Sequence, residues 1–193
     1  MARILEEKID KLKFAGGVDA DGHILEASDL WEKYCEPKYR ATAVRLQVDA
    51  EGYDYLEICG RPSRVSRGGT FAGIGSMGQV TRERGEFNRK LHYGDEYLLG
   101  AMDAKQRMQR LDLEGLDAAI IYPSLGLSWE TDCEDADYAQ AMTRAYNRWI
   151  VDWCSDSGGR LIPVAHLSLG DPKAAPEGLE PAVKAGCKGG WVV

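Results

Sequence analysis

Gly16-Gly17-Val18-Asp19-Ala20-Asp21-Gly22-His23 reads as the entry to a short buried strand that runs into a carboxylate and an imidazole. Residues i and i+2 of a strand point to the same face. Asp21 and His23 are therefore expected to project side by side from a strand end. One hard oxygen and one imidazole nitrogen in that relation can grip a divalent metal. An Asp-x-His pair at a strand-to-loop transition also serves as turn chemistry, so the rest of the chain has to choose between the two.

Working outward, four segments read as buried strands: Gly17–Ala20, Ala118–Tyr122, Leu161–Leu167 and Gly189–Val193. Ala-Ala-Ile-Ile-Tyr and Leu-Ile-Pro-Val-Ala-His-Leu are near-continuous apolar runs, the pattern of strands covered on both faces in a parallel sheet. Helical patterns lie between them. Ala101–Leu116 carries Met102, Met108, Leu111 and Leu113, with Gly115 near its end. Asp135–Ser155 places Ala139, Met142, Ala145, Tyr146, Trp149, Ile150 and Trp153 on one stripe, a face for packing on the sheet. Pro172–Ala185 reads as a third helix with Pro172 in its first turn, shortened or kinked by Pro176 and Pro181.

Strands alternating with helices mean βαβ units and a parallel sheet. The fold class is α/β, a partial (β/α)8 barrel of about four βα units. A complete barrel of this type needs about 250 residues. The chain stops on the apolar Gly189–Val193 at residue 193, so truncation is the simplest reading, with a complete open four-stranded sheet as the alternative. Residues 1–16 form an N-terminal extension, with Met1–Phe14 a short amphipathic helix or a loosely held segment. Residues 17–193 form the half-barrel, with an insertion over residues 26–100. Within it, Val44–Val48 and Tyr53–Ile58 flank Asp49-Ala50-Glu51-Gly52 and predict a hairpin. Insertions at this position of such folds gather binding loops.

The net charge of −7 argues against general nucleic-acid binding. No apolar run approaches a membrane span. The five cysteines are odd in number and widely spaced, with no C-x-x-C. They make neither a disulfide framework nor a cysteine zinc site, and a cytoplasmic location follows as the default. Residues 61–90 hold seven basic side chains against two acidic ones. That segment is either a solvated loop or a lid that attracts an anionic substrate. Gly73-Ile74-Gly75-Ser76-Met77-Gly78 matches G-x-G-x-x-G, but no apolar strand precedes it and no crossover helix follows. A nucleotide site is not expected there.

Of the three histidines, His92 lies in a polar loop and reads as structural or solvated. His166 lies inside an apolar strand, either as a satisfied core histidine or as a substrate ligand or proton shuttle in a barrel mouth. Tyr122 ends the second strand, where parallel barrels build their sites. Glu26 follows His23 by three residues and is a candidate second-shell partner or acid/base. His166, Tyr122 and Glu26 are the substrate-binding candidates, and no catalytic residue is assigned.

Val18-Asp19-Ala20-Asp21-Gly22-His23-Ile24-Leu25-Glu26 with Asp29-Leu30-Trp31 resembles the opening of amidohydrolase-related proteins. The branch is the one containing aminocarboxymuconate-semialdehyde decarboxylase and γ-resorcylate decarboxylase. Leu111–Asp117 running into Ile121-Tyr122-Pro123 resembles that family's first helix and second strand. Tyr146-Asn147-Arg148-Trp149 and Arg160–Val164 resemble its second helix and third strand. The resemblance implies a metal-dependent (β/α)8 barrel in which Asp21 and His23 match the first-strand metal pair. The metal would be zinc, with manganese as the second choice. The remaining ligands and the catalytic acid would come from later strands, beyond Val193, so the 193 residues alone are expected to be inactive. The implied activity is hydrolysis or non-oxidative decarboxylation of a small carboxylated substrate, in a homo-oligomer bound to neither membrane nor nucleic acid. The alternative is a non-catalytic binding or assembly module derived from the same barrel.

Overall fold

The computed structural model describes residues 2–5, 8–68, 74 and 92–192. In chain order it contains β1 (Arg3–Leu5), β2 (Val18–His23), α1 (Leu30–Tyr34), β3 (Arg45–Val48), β4 (Asp54–Ile58) and β5 (Arg61–Pro62). There follow β6 (Glu96–Leu98), α2 (Ala104–Glu114), β7 (Ala118–Tyr122), α3 (Gly126–Trp129), α4 (Ala136–Cys154), β8 (Leu161–Leu167), α5 (Ala175–Ala185) and β9 (Gly189–Val192). Much of the basic stretch 61–90 and of the Gly73–Gly78 motif lies outside the described residues.

The organising element is a curled, all-parallel sheet of order β2-β7-β8-β9. Val18 pairs with Ala118 and His23 with Tyr122, so β2 and β7 end together. β8 outruns β7: its pairing with β7 stops at Ile121–Pro163, while its far half pairs with β9 from Val164–Gly189 to Leu167–Val192. Only β8 is buried along most of its length. β2 and β9 are edge strands with largely exposed or alternating residues, which corrects the expectation that their segments, Gly17–Ala20 and Gly189–Val193, are buried strands. Each has a hydrogen-bonded neighbour on one side only.

Local chemistry sets the helix ends. The Asp103 carboxylate caps α2 by accepting the Gln106 N–H (2.8 Å), and Gly115 closes it with a left-handed φ of 75°. Asp135 caps α4 by accepting the Tyr138 N–H (3.1 Å). The α4 stripe packs as its spacing predicts: Ala139, Met142, Ala145, Tyr146, Trp149 and Ile150 are buried in the core with Ile121, Trp129 and Leu161. α5 differs from expectation. Pro172 lies in the preceding turn, and Pro176 starts the helix at a position where its missing N–H is not needed. The helix then carries Pro181 inside it.

The insertion forms its own small sheet, β3-β4-β5, antiparallel throughout. The expected hairpin is present, with Val48 opposite Asp54 and Asp49 Oδ1 accepting the N–H groups of Glu51 and Tyr53 (both 2.9 Å). No helix forms in the described part of Met1–Phe14. Arg3–Leu5 instead pairs in parallel with β6. No helix among the described residues is long and apolar enough to cross a membrane. All five cysteines are free thiols.

Candidate metal half-site at the end of β2

β2 carries one extra residue between Asp19 and Gly22: Asp19 pairs with Ala119, but Gly22 already pairs with Ile121. This bulge swings Asp21 outward, and the Asp19 carboxylate steadies it by accepting the Asp21 N–H (3.0 Å). The simple i, i+2 alternation is thereby broken, yet Asp21 and His23 still meet. His23 Nε2 lies 3.6 Å from Asp21 Oδ1, with Asp21 almost fully exposed and His23 partly so.

The backbone approach at the bulge explains Gly22. A Cβ there would sit 2.8 Å from the Ile120 carbonyl oxygen and 3.1 Å from Asp19 Oδ2. Gly22→Ala is expected to force the β2–β7 ladder apart at a cost of about 1–3 kcal/mol. Urea denaturation of the variant measures this, and an unchanged midpoint would show that the strands tolerate the methyl group.

The other face of the imidazole decides its tautomer. His23 Nδ1 is 2.7 Å from the Pro123 carbonyl oxygen, which can only accept, so Nδ1 carries the proton and donates. The Nε2 lone pair then faces the Asp21 carboxylate. In the neutral ring two acceptors converge there, the arrangement a cation would bridge. Tetrahedral ligands of one zinc ion, each about 2.0–2.2 Å from it, stand about 3.3–3.6 Å apart. The pair fits within a few tenths of an ångström. Among the described residues, no three His, Cys, Asp or Glu side chains gather to hold a metal ion.

The end of β2 is held from several sides. Arg107 of α2 is half-buried, donates to the His23 carbonyl oxygen and donates through Nε to the Gly100 carbonyl (2.7 Å). Burial lowers the pKa of its guanidinium, while Asp19 and Glu114 act in the opposite direction. These groups line a cavity of about 270 Å³ that also reaches Asp21, His23 and Ser124. It lies at the C-terminal end of a parallel strand, where such sheets bind ligands.

The remaining candidates occupy distinct places. Tyr122 sits beside His23, with ring centroids 6.0 Å apart. Glu26 is fully buried, and its carboxylate accepts the N–H groups of Ser124 (2.8 Å), Leu125 (3.0 Å) and Gly126 (3.2 Å). Burial raises its pKa, and those three donors oppose the rise. Its own carbonyl accepts the Tyr93 hydroxyl (2.9 Å). His166 is also fully buried, with Nε2 3.0 Å from Glu130 Oε2 and its ring among Trp129, Tyr146 and Trp191. His92 lies apart from these groups and pairs with Asp54 on β4 (2.7 Å), which raises its pKa. Sequence reasoning missed Arg107, Glu130 and the Pro123 carbonyl. An arginine one turn into an amphipathic helix and a backbone oxygen carry no signal until the fold brings them to β2.

No family model matches this sequence, and no curated protein does. Among solved structures, the fold is similar to an amidohydrolase from Mycobacterium avium subsp. paratuberculosis K-10, with a TM-score of 0.67 and 20% sequence identity. The likeness covers 94% of this chain and 50% of that one, so the chain spans about half the length of the structure it matches.

Proposed function

We propose that this chain supplies the first half of a metal-dependent amidohydrolase-type (β/α)8 barrel, with Asp21 and His23 as two ligands of a divalent metal, zinc or manganese. The observation that carries the reading is the meeting of the Asp21 carboxylate and His23 Nε2 at 3.6 Å, with the other ring nitrogen engaged by the Pro123 carbonyl. The four-stranded parallel sheet and the amidohydrolase fold likeness support it. In such a site a bound metal polarises a substrate carbonyl or carboxylate oxygen and lowers the pKa of water.

The chain's own residues would do the rest. The Pro123 carbonyl holds His23 in the ligating tautomer, and Arg107 anchors the strand end through the His23 carbonyl. The reaction we assign is hydrolysis or non-oxidative decarboxylation of a small carboxylated compound. The remaining ligands and the catalytic acid would be supplied from outside these residues.

The test is zinc and manganese binding by the full-length protein, in its wild-type form and as Asp21→Ala/His23→Ala. The wild type is expected to take up metal, and the double variant to bind it at least tenfold more weakly. Equal binding by the two proteins, or none by the wild type, would overturn the reading.

A further inference from the structure

We infer that Glu26 is a positioning residue for His23, acting through the Ser124–Gly126 turn and the Pro123 carbonyl. This rests on the reading of His23 as a ligand through Nε2. The chain of contacts is continuous. The buried Glu26 carboxylate accepts three consecutive N–H groups, those of Ser124, Leu125 and Gly126. Three donors on one acidic group leave that turn a single orientation relative to the segment after β2. Pro123 immediately precedes the turn, and its carbonyl receives the His23 Nδ1–H at 2.7 Å. Ser124 Oγ stands 3.4 Å from the same nitrogen.

The imidazole is thus held at Nδ1 by an oxygen that Glu26 places from behind, and Nε2 is left free toward Asp21. Glu26 itself is 0% exposed and out of reach of any ligand, so its influence runs through the turn alone. Tyr93 adds a further hold by donating to the Glu26 carbonyl, which connects the insertion to the same device.

Gly126 tests the chain from the other side while leaving the Glu26 side chain unaltered. A Cβ on Gly126 would stand 2.8 Å from Pro123 Cβ and 3.2 Å from Pro123 Cγ. A proline ring cannot swing away as a flexible side chain does, so Gly126→Ala has to move Pro123 and its carbonyl.

The experiment reads the ¹⁵N shifts of the His23 ring in metal-free protein, with the ring in its neutral state. The wild type is expected to show a protonated Nδ1 and an unprotonated Nε2. Glu26→Ala and Gly126→Ala are expected to show both nitrogens averaged between tautomers. Glu26→Gln should fall between, since one amide oxygen still accepts while its NH2 group faces N–H donors. Circular dichroism establishes that each variant is folded. If Glu26→Ala does not fold, Glu26→Gln and Gly126→Ala decide.

Zinc titration supplies the second readout. Loss of the hold that the Pro123 carbonyl exerts on His23 is expected to weaken binding about 10–100-fold. Wild-type shifts retained in folded variants, or a wild type protonated at Nε2, overturn the inference. Full zinc affinity in variants with averaged tautomers overturns it as well. A wild type with the expected tautomer and no zinc binding supports the positioning chain and overturns the metal reading alone.

Discussion

Asp132→Ala is expected to lower the unfolding free energy by about 3–5 kcal/mol, because it strips several donors of one shared acceptor. Asp132 ends the 3₁₀ turn Glu130–Asp132, and its buried carboxylate fastens the insertion sheet to the main body. Oδ2 accepts the Ser63 hydroxyl (2.5 Å) and the N–H groups of Arg64 (2.8 Å) and Val65 (3.3 Å). Oδ1 accepts Arg64 Nε (2.9 Å). The Arg64 side chain is mostly exposed, so that ion pair contributes little, and the buried hydroxyl and the main-chain donors carry the effect.

These partners hold the carboxyl at about 2, below its usual 3.8, against the opposing effect of burial. A folded-state pKa lower than the unfolded one adds stability that is full above the unfolded value and is lost as pH falls through the folded value. The gap between wild type and Asp132→Asn should therefore be widest above about pH 5 and close toward pH 2. Guanidinium melts across that range measure it. A gap independent of pH would show that the carboxylate charge is not what holds the turn.

Asn147→Leu is expected to cost about 2–4 kcal/mol, from two unmet main-chain groups in the core. β8 continues past the end of its pairing with β7, so its far half lacks a ladder partner on that side. Asn147 of α4 fills the gap. Its Oδ1 accepts the His166 N–H (2.8 Å) and its Nδ2 donates to the His166 carbonyl (3.1 Å). Leucine has the same branched heavy-atom skeleton and neither function, so both His166 groups stay buried and unpaired. Asn147→Asp should also destabilise, since a carboxylate would face the His166 carbonyl. A leucine variant as stable as wild type would mean that β8 finds other partners for these groups.

Both residues show where sequence reading stops. The α4 stripe through Met142, Tyr146 and Trp149 was legible because helical periodicity is a local property of the chain. The β3–β4 hairpin was legible because Asp49 and Gly52 write the turn into four adjacent residues. Asn147 sits in the same helix but carried no visible role, since its partner is a strand backbone left open by β7's length. Of the two readings of Met1–Phe14, the helix does not form in the described residues for a related reason: Arg3–Leu5 is extended by β6, whose residues lie more than ninety positions away. At the candidate site, Asp21 and His23 stood out as chemistry, but the simple alternation that paired them ignored the bulge. Glu26 stood out by its nearness to His23, and its burial and three N–H partners did not.

The sequence by itself determined the alternation of strands and helices, hence a parallel α/β sheet, and it placed an acid and an imidazole at the end of the first long strand. Side-chain period and turn chemistry act over a few residues, and those are what it records. Only the tertiary structure decided the partner of His23 Nδ1, the bulge at Asp21, and the enclosure of Glu26 and His166. Each of these depends on a carbonyl, N–H or carboxylate from a distant segment, such as Pro123, 100 residues from His23. Such contacts exist only once β2 and β7 lie side by side.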